Sequence, residues 1–329
     1  MGIGRLLAAI AVGAALGLAG PAAARPDQLI VFGDSLVDAG NAYLGTFGQT
    51  AQPGYGYFDG RYSNGPVWTD LINQRLTNHL TTPFLLGGVN YAVGGAEAAE
   101  DRSLLGFTVP GLASQLGIYA TSGKAIDPNA LYVLNFGNND VSALLAGIAA
   151  APNAGAAAAF QAGFTAAFVG NYLGAISYLN AHGAKNFLIG GVPNPQITVG
   201  IGLEASLQAG LATLSLTPGS SLKQIDYFGF FNSLVANPTA YGLPADLDVN
   251  LGDACVDISV APSNPNPDCS HYLSFDGIHP TAPVHAALAR YVGELIGIGS
   301  VPEPSSWALM IGGFGLIGAT MRRSRATAA

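Results

Sequence analysis

Charged side chains are scarce in this chain. Asp, Glu, Lys and Arg make up 10% of its 329 residues, whereas about a quarter is usual for a globular domain. Only 12 residues are basic against 20 acidic ones, and Arg5, Arg322, Arg323 and Arg325 lie in terminal segments that we expect to be removed. Nucleic acids and other polyanions are bound through clustered Lys and Arg. The composition therefore excludes a nucleic-acid-binding protein and argues against a polyanionic substrate.

Cysteine is almost absent as well. The two cysteines, Cys255 and Cys269, enclose residues 256–268, a loop rich in Pro, Asn and Ser. We expect them to form a disulfide in an oxidising compartment, with two free thiols as the alternative. A metal site is disfavoured because His271 is the only other soft ligand nearby.

The chain also lacks a G-x-S-x-G motif, which carries the nucleophile in α/β-hydrolases, so that fold is disfavoured. No internal repeat or domain boundary is visible in the sequence. Half of the residues are hydrophobic, which is enough to build the core of one large α/β domain or of two small ones.

Residues 1–24 have the composition of a secretory signal. Arg5 precedes an apolar run at residues 6–18, and the small residues at 21–24 resemble a cleavage site. A membrane anchor is the alternative, but the apolar run is too short to span a bilayer comfortably. We therefore expect the protein to be exported.

Residues 299–329 form a second terminal signal. Val301-Pro302-Glu303-Pro304 precedes an apolar segment at residues 307–321 and a basic end at 321–325. This arrangement resembles the PEP-CTERM sorting signal of bacterial surface proteins, which implies processing by an exosortase-type machinery and transient membrane contact. As a helix the apolar segment would be about 22 Å long, short of the ~30 Å bilayer core. A permanent tail anchor is the alternative.

Between the termini, residues 25–298 alternate between strand-like and helix-like patterns. The connections are long enough to join parallel strands, so the pattern predicts a flavodoxin-like three-layer α/β/α sandwich with a five-stranded parallel sheet. The predicted strands are residues 29–32, 89–93, 130–136, 186–190 and 224–228, and the predicted helices are 67–76, 112–120, 156–181, 203–214 and 284–296.

A candidate nucleophile follows the first predicted strand. Gly33-Asp34-Ser35 supplies a tight turn and a serine where we expect a helix to begin. The hydroxyl of Ser35 would then lie at the carboxyl edge of the sheet, where a helix N-terminus favours developing negative charge. A serine that merely caps the helix is the alternative for this motif alone.

A candidate base lies near the end of the domain. Asp276 and His279 are three residues apart, a spacing that would place them on one side of a helical turn, with the carboxylate on Nδ1 and with Nε2 free. Among the five histidines, His279 alone combines such a carboxylate with a rigid flank, Pro280. A solvated surface pair is the alternative.

Four sequence blocks together resemble the GDSL, or SGNH, family of esterases and lipases over residues 29–296. The first is Gly33-Asp34-Ser35-Leu36 with Asp38 and Gly40-Asn41 following, the second is residues 90–96, the third is Gly137-Asn138-Asn139-Asp140, and the last is Asp276-x-x-His279. Four blocks in this order are far more specific than any one of them.

The resemblance implies roles for individual residues. Ser35 would be the nucleophile, His279 the base and Asp276 the group that orients it. Asn139 and one glycine of the Gly94-Gly95 pair would line the oxyanion hole, and counting from Asn90 favours Gly95. Backbone and amide N–H groups of this kind stabilise the charge that develops during acyl transfer. The alternatives are an ordinary turn for the glycine pair and an Asn139 side chain that bonds its own backbone.

Two other segments allow more than one interpretation. Residues 43–62 are rich in Gly, Tyr and Phe and could line the acyl or alcohol pocket, or form a solvated loop. Residues 146–155 look like an Ala/Pro/Gly linker without a chemical role.

The expected function is that of an exported serine ester hydrolase that forms an acyl-enzyme and needs no metal or organic cofactor. Its substrate would be a lipid-like ester or an acylated carbohydrate, and it would be secreted or held at the cell surface or in the extracellular matrix after C-terminal processing. One alternative is a carbohydrate esterase that deacetylates extracellular polysaccharide. The other is a non-catalytic surface protein on a hydrolase scaffold.

Overall fold

A parallel β-sheet lies at the centre of the fold in the computed structural model, which describes residues 26–193, 198–260 and 264–298. The signal predicted for residues 1–24 and the sorting segment predicted for 299–329 lie outside the described residues. The strands of the described part are β1 (Leu29–Gly33), β2 (Arg102–Leu104), β3 (Phe107–Val109), β4 (Leu131–Asn135), β5 (Asn186–Gly190) and β6 (Ser221–Ile225). The main sheet has the parallel order β1-β4-β5-β6, while β2 and β3 form a separate hairpin.

The second predicted strand, residues 89–93, lies beside β1 without forming a regular ladder. The Tyr91 N–H donates to the Val31 carbonyl at 2.7 Å, as in a parallel pair. The next rung is interrupted because the Gly33 N–H donates instead to the side-chain oxygen of Gln115 at 2.9 Å. Counted with this irregular stretch, the five predicted segments keep the flavodoxin-like order 2-1-3-4-5.

Helices cover both faces of the sheet and complete the predicted three layers. Successive side chains of a strand point to opposite faces, so Ile30 and Phe32 pack against one helical layer and Leu29 and Val31 against the other. The helices of the described part are α1 (Asn41–Gly45), α2 (Trp68–Thr77), α3 (Leu112–Thr121), α4 (Asn138–Ala150), α5 (Ala154–Ala181), α6 (Thr198–Leu211), α7 (Tyr227–Ala236) and α8 (Ala282–Leu295). The first layer contains α3, α4, α5 and α6, and the second contains α2, α7 and α8.

The strand predicted at residues 224–228 lies three residues earlier in the structure. The strand, β6, ends at Ile225, and α7 begins at Tyr227 because the Asp226 carboxylate accepts the Gly229 N–H at 2.8 Å as an N-cap. Tyr227, Phe230 and Leu234 are buried at helical spacing, so this segment belongs to a helix.

The linker prediction at residues 146–155 was also wrong. Helix α4 continues to Ala150, and α5 begins at Ala154 after a break of three residues. The Asn153 side chain accepts the Ala156 N–H at 2.9 Å, which caps α5. Among the described residues, no helix has the length and apolar character needed to cross a membrane.

Candidate active site

Ser35 lies just beyond the carboxyl end of β1, in a turn and not at the start of a helix. The turn is closed by the Val37 N–H donating to the Asp34 carbonyl at 3.2 Å, and the next helix begins only at Asn41. The helix-dipole argument for Ser35 was therefore wrong. Its position at the carboxyl edge of the sheet, where open α/β sheets place their sites, is as predicted.

The three residues proposed as a catalytic set come together in the fold. The Ser35 Oγ lies 2.8 Å from His279 Nε2, and His279 Nδ1 lies 2.8 Å from Asp276 Oδ2. Both partners are largely buried, with 11% of the His279 side chain and 3% of the Asp276 side chain exposed. These distances define a continuous hydrogen-bonded chain from a serine hydroxyl to a carboxylate.

The segment that carries Asp276 and His279 is a loop, which corrects the predicted helical turn. Gly277 has a φ of +88°, a left-handed conformation that favours glycine. Within this loop the other oxygen of Asp276, Oδ1, accepts the His279 N–H at 2.8 Å. The Phe275 N–H donates to the His279 carbonyl at 2.7 Å, so the loop fixes both residues against each other.

Two tyrosines that the sequence analysis did not single out support this pair. The Tyr57 hydroxyl donates to Asp276 Oδ2 at 2.7 Å, and the Tyr62 ring lies against the His279 ring with centroids 4.8 Å apart. Both belong to the aromatic segment at residues 43–62, whose composition was the only available signal. Burial raises the pKa of each tyrosine, so both hydroxyls keep their protons.

The Asp276 carboxylate is held in its ionised form. Burial alone raises its pKa, but the charge on His279 and the hydrogen bonds from His279 and Tyr57 outweigh that effect and lower the pKa to about 2. Asp276 can therefore orient the imidazole and stabilise its protonated form over the whole neutral range.

The glycine pair of the second block is fixed by a buried carboxylate. Asp38 Oδ2 accepts the Gly94 N–H at 2.8 Å and the Ala42 N–H at 3.0 Å. The Gly94 N–H is thus already occupied, whereas the N–H groups of Gly95 and Ser35 have no hydrogen-bond partner among the described residues. This arrangement supports the preference for Gly95 over Gly94.

The third block anchors the loop that follows this glycine pair. The Asn139 side-chain nitrogen donates to the Ala96 carbonyl at 3.0 Å and keeps a second hydrogen for another acceptor. Asp140 accepts the N–H groups of Ala98 and Ala99, each at 2.9 Å. Asn139 lies in the first turn of α4, so a helix N-terminus faces this end of the sheet.

Asp34 is a further buried carboxyl group beside Ser35. Its Oδ1 accepts the Leu36 N–H at 3.0 Å, while its Oδ2 has no partner among the described residues. Burial raises the pKa of Asp34 to about 7, against the opposing effects of that hydrogen bond and of His279. The group is thus poised between its neutral and charged forms at neutral pH.

A cavity of about 180 Å³ opens on the candidate catalytic residues. Ser35 and His279 lie in its wall, and the aliphatic and aromatic side chains around them come from α7 and from the loops before α8. Residues 43–62, for which a pocket wall and a solvated loop were both open, are absent from this wall and contribute to a second cavity beside Gly94.

The predicted disulfide joins Cys255 and Cys269. Cys269 packs in a small cluster with Tyr57 and Phe275, and the Cys255 N–H donates to the Ser274 carbonyl at 3.1 Å. The bridge therefore supports the loop that leads to Asp276 as well as the tyrosine that bonds to it.

The fold and the site define an α/β protein with a Ser-His-Asp chain at the carboxyl edge of a parallel sheet. Its sequence matches the profile of the GDSL-like Lipase/Acylhydrolase family over residues 29–292. The chain belongs to this family, a class of hydrolases that act on ester bonds. Residues 300–325 match the PEP-CTERM protein-sorting motif, which indicates export and sorting to the cell surface or extracellular space.

Individual relatives agree with this assignment at low identity. The thermolabile hemolysin of Vibrio parahaemolyticus is 27% identical over 307 residues, which cover 83% of this chain and 64% of the hemolysin, so this chain spans less than two thirds of that relative. A GDSL esterase/lipase of Arabidopsis thaliana is 26% identical over 316 residues, covering 81% of this chain and 88% of the relative. Another from the same plant is 36% identical over 111 residues, covering 29% and 30%.

Proposed function

We propose that this chain is an exported serine ester hydrolase that cleaves carboxylic esters through an acyl-enzyme. The observation that carries the proposal is the pair of 2.8 Å contacts that link Ser35 to His279 and His279 to Asp276. A nucleophile hydrogen-bonded to a base, and a base oriented by a third group, is the arrangement that activates a serine for acyl transfer.

In the first half of the reaction, the Ser35 Oγ attacks the ester carbonyl while His279 Nε2 accepts the proton of the Ser35 hydroxyl. The imidazolium is stabilised by the Asp276 carboxylate and then gives the proton to the leaving alcohol. In the second half the same nitrogen takes a proton from water, which attacks the acyl-serine, and Ser35 regains its hydrogen when the acid is released.

The oxyanion would be held by three donors. The N–H groups of Ser35 and Gly95 are unoccupied in the described part of the chain, and Asn139 has one amide hydrogen left after bonding to Ala96. Each such donor typically contributes about two to three orders of magnitude in rate, because it acts on charge that develops only in the transition state.

The test is covalent labelling followed by turnover. A fluorophosphonate should label wild-type protein at Ser35 but not the Ser35→Ala variant, and the wild type should hydrolyse p-nitrophenyl esters. If neither labelling nor turnover is observed, the result supports the alternative of a non-catalytic surface protein. Hydrolysis of acetylated xylan in place of simple p-nitrophenyl esters would identify a carbohydrate esterase.

The sorting motif supports a route for the protein after export. Residues 300–325 would be processed by an exosortase-type machinery, with transient membrane contact through the termini, and the hydrolase domain would be released or retained at the surface. Mass spectrometry of the exported protein would locate both ends of the mature chain.

A further inference from the structure

A second cavity lies next to the proposed oxyanion hole. It holds about 420 Å³, more than twice the volume of the 180 Å³ cavity that contains Ser35 and His279. It lies between α1, α3 and the β2–β3 hairpin, and its wall is mostly apolar, with Phe84, Val93, Leu104, Phe107 and Ile118 among its members.

The position of this cavity relative to the reacting carbonyl follows from two glycines. Gly94 lies in its wall. A Cβ placed on Gly95 would be 3.3 Å from the Leu104 side chain, which also lines the cavity. The cavity therefore begins beside the backbone whose N–H would hold the carbonyl oxygen.

The chemistry of ester cleavage determines where each part of the substrate must lie in the site. The carbonyl oxygen must point at the oxyanion donors, and the alcohol oxygen must lie near His279, because His279 protonates it as it leaves. The smaller cavity contains His279 and its neighbours Ile278 and Pro280, so it is placed for the alcohol. The remaining substituent of the carbonyl carbon is the acyl chain, and the cavity beside Gly94 is left to receive it.

We infer that the cavity beside Gly94 binds the acyl chain of a lipid-like ester and that the cavity beside His279 binds the alcohol. This inference rests on the ester hydrolysis proposed above. Because a cavity of about 150 Å³ holds a benzene ring, 420 Å³ has room for an acyl chain on the order of ten carbons. An acetyl group would leave most of this apolar space empty, which favours longer acyl esters over acetylated polysaccharide.

The surface around the cavity is apolar as well. Phe47 is 87% exposed and packs against Phe107, with ring centroids 6.3 Å apart. Leu85 and Leu105 are 47% and 60% exposed, and both belong to the segments that form the cavity wall. Exposed apolar side chains grouped around a cavity are typical of a site that takes up an apolar ligand.

Filling each cavity in turn tests the assignment. Leu104→Trp and, separately, Gly45→Leu would narrow the cavity beside Gly94; a Cβ on Gly45 meets only Leu85, at 3.8 Å, so that variant should fold. Val235→Trp is the matched control, because Val235 lines the cavity beside His279. The measured quantity is the ratio of kcat/KM for p-nitrophenyl decanoate to that for p-nitrophenyl acetate, two esters of the same alcohol.

We expect this ratio to fall by roughly tenfold or more in Leu104→Trp and Gly45→Leu, since apolar pockets discriminate by about that much per methylene group, and to stay unchanged in Val235→Trp. A ratio that is unchanged in Leu104→Trp and Gly45→Leu, or that falls only in Val235→Trp, overturns the inference while the ester hydrolase stands. Wild-type protein that hydrolyses neither ester overturns both. Melting temperatures and fluorophosphonate labelling of each variant identify the folded proteins, and Gly45→Leu alone decides if Leu104→Trp does not fold.

Discussion

The hydroxyl of Tyr57 donates to the same Asp276 oxygen that pairs with His279 Nδ1, across 219 positions of sequence and at 2.7 Å. A carboxylate that shares its charge between two donors attracts the imidazolium less than one with a single donor does. Tyr57 is therefore a positioning residue that holds Asp276 in place and moderates its effect on the base.

Replacing Tyr57 by Phe should shift the pH dependence of the reaction. Without the hydroxyl, Asp276 stabilises protonated His279 more strongly, so the acidic limb of kcat/KM should move to higher pH, with a loss of several-fold in kcat at neutral pH. Asp276 itself, with its pKa at about 2, stays ionised across this range. Tyr178→Phe is the control, and an unchanged acidic limb in Tyr57→Phe would contradict the moderating role.

The proposed catalytic set should behave as a unit. Ser35→Ala and His279→Ala should each abolish turnover to a similar degree, and Asp276→Asn should cost as much or less, because such residues are strongly non-additive. The control is His271→Ala: its partner Asp246 lies at 3.0 Å in a second His-Asp pair, which is exposed. Near-wild-type kcat in His279→Ala, together with a loss in His271→Ala, would mean that the base is misassigned.

Loss of the Asn139 amide should affect kcat and leave KM almost unchanged. We expect Asn139→Ala to lower kcat by about two to three orders of magnitude, since its bond to the oxyanion forms only in the transition state. Asn171→Ala is the matched control, because Asn171 donates to the carbonyls of Ala98 and Ala99 at 2.8 and 2.9 Å and so anchors the same loop. A similar loss in both variants would mean that Asn139 acts only by holding the loop.

The disulfide should connect stability with catalysis. Closing a loop of about 15 residues stabilises by about 3 kcal/mol in the loop-closure model, and Cys269 packs against Tyr57 and Phe275. Mild reduction, or Cys255→Ser with Cys269→Ser, should therefore lower the melting temperature and reduce kcat more than it raises KM. Reductant should not affect the double variant further. Alkylation of both cysteines in exported, non-reduced protein would show that the bridge does not form.

Two buried carboxyl groups should make the fold less stable as the pH rises from about 4 to about 7. Burial raises the pKa of Asp34 and that of Asp140 to about 7, whereas both titrate near 3.9 in an unfolded chain. The folded state binds more protons between these values, so the stability they contribute is lost with increasing pH. Melting temperatures from pH 5 to pH 8 should fall less in Asp140→Asn than in the wild type. An equal change of melting temperature in the wild type and in Asp140→Asn would contradict the raised pKa of Asp140.

The architecture and the catalytic candidates could be predicted because they leave local signals. The predicted strand at residues 186–190 coincides with β5, and the helix predicted at 112–120 differs from α3 by one residue. Hydrophobic periodicity and apolar runs indicate which face of a helix or strand is buried. That face is buried whether its packing partner lies near or far along the chain. Motif spacing likewise predicted that Asp276 would meet His279, although the local conformation is set by Gly277 and is not helical.

The sequence by itself was enough to predict the alternation of strands and helices, the Ser-His-Asp candidates and the C-terminal sorting motif. Only the tertiary structure decided that Tyr57 bonds to Asp276 and that Tyr62 packs on His279. It also decided that Asp38 occupies the Gly94 N–H, while the Gly95 N–H has no partner among the described residues. These contacts join segments that are far apart along the chain. A long-range contact depends on how layers stack and loops cross, so it leaves no periodic pattern in the residues that make it.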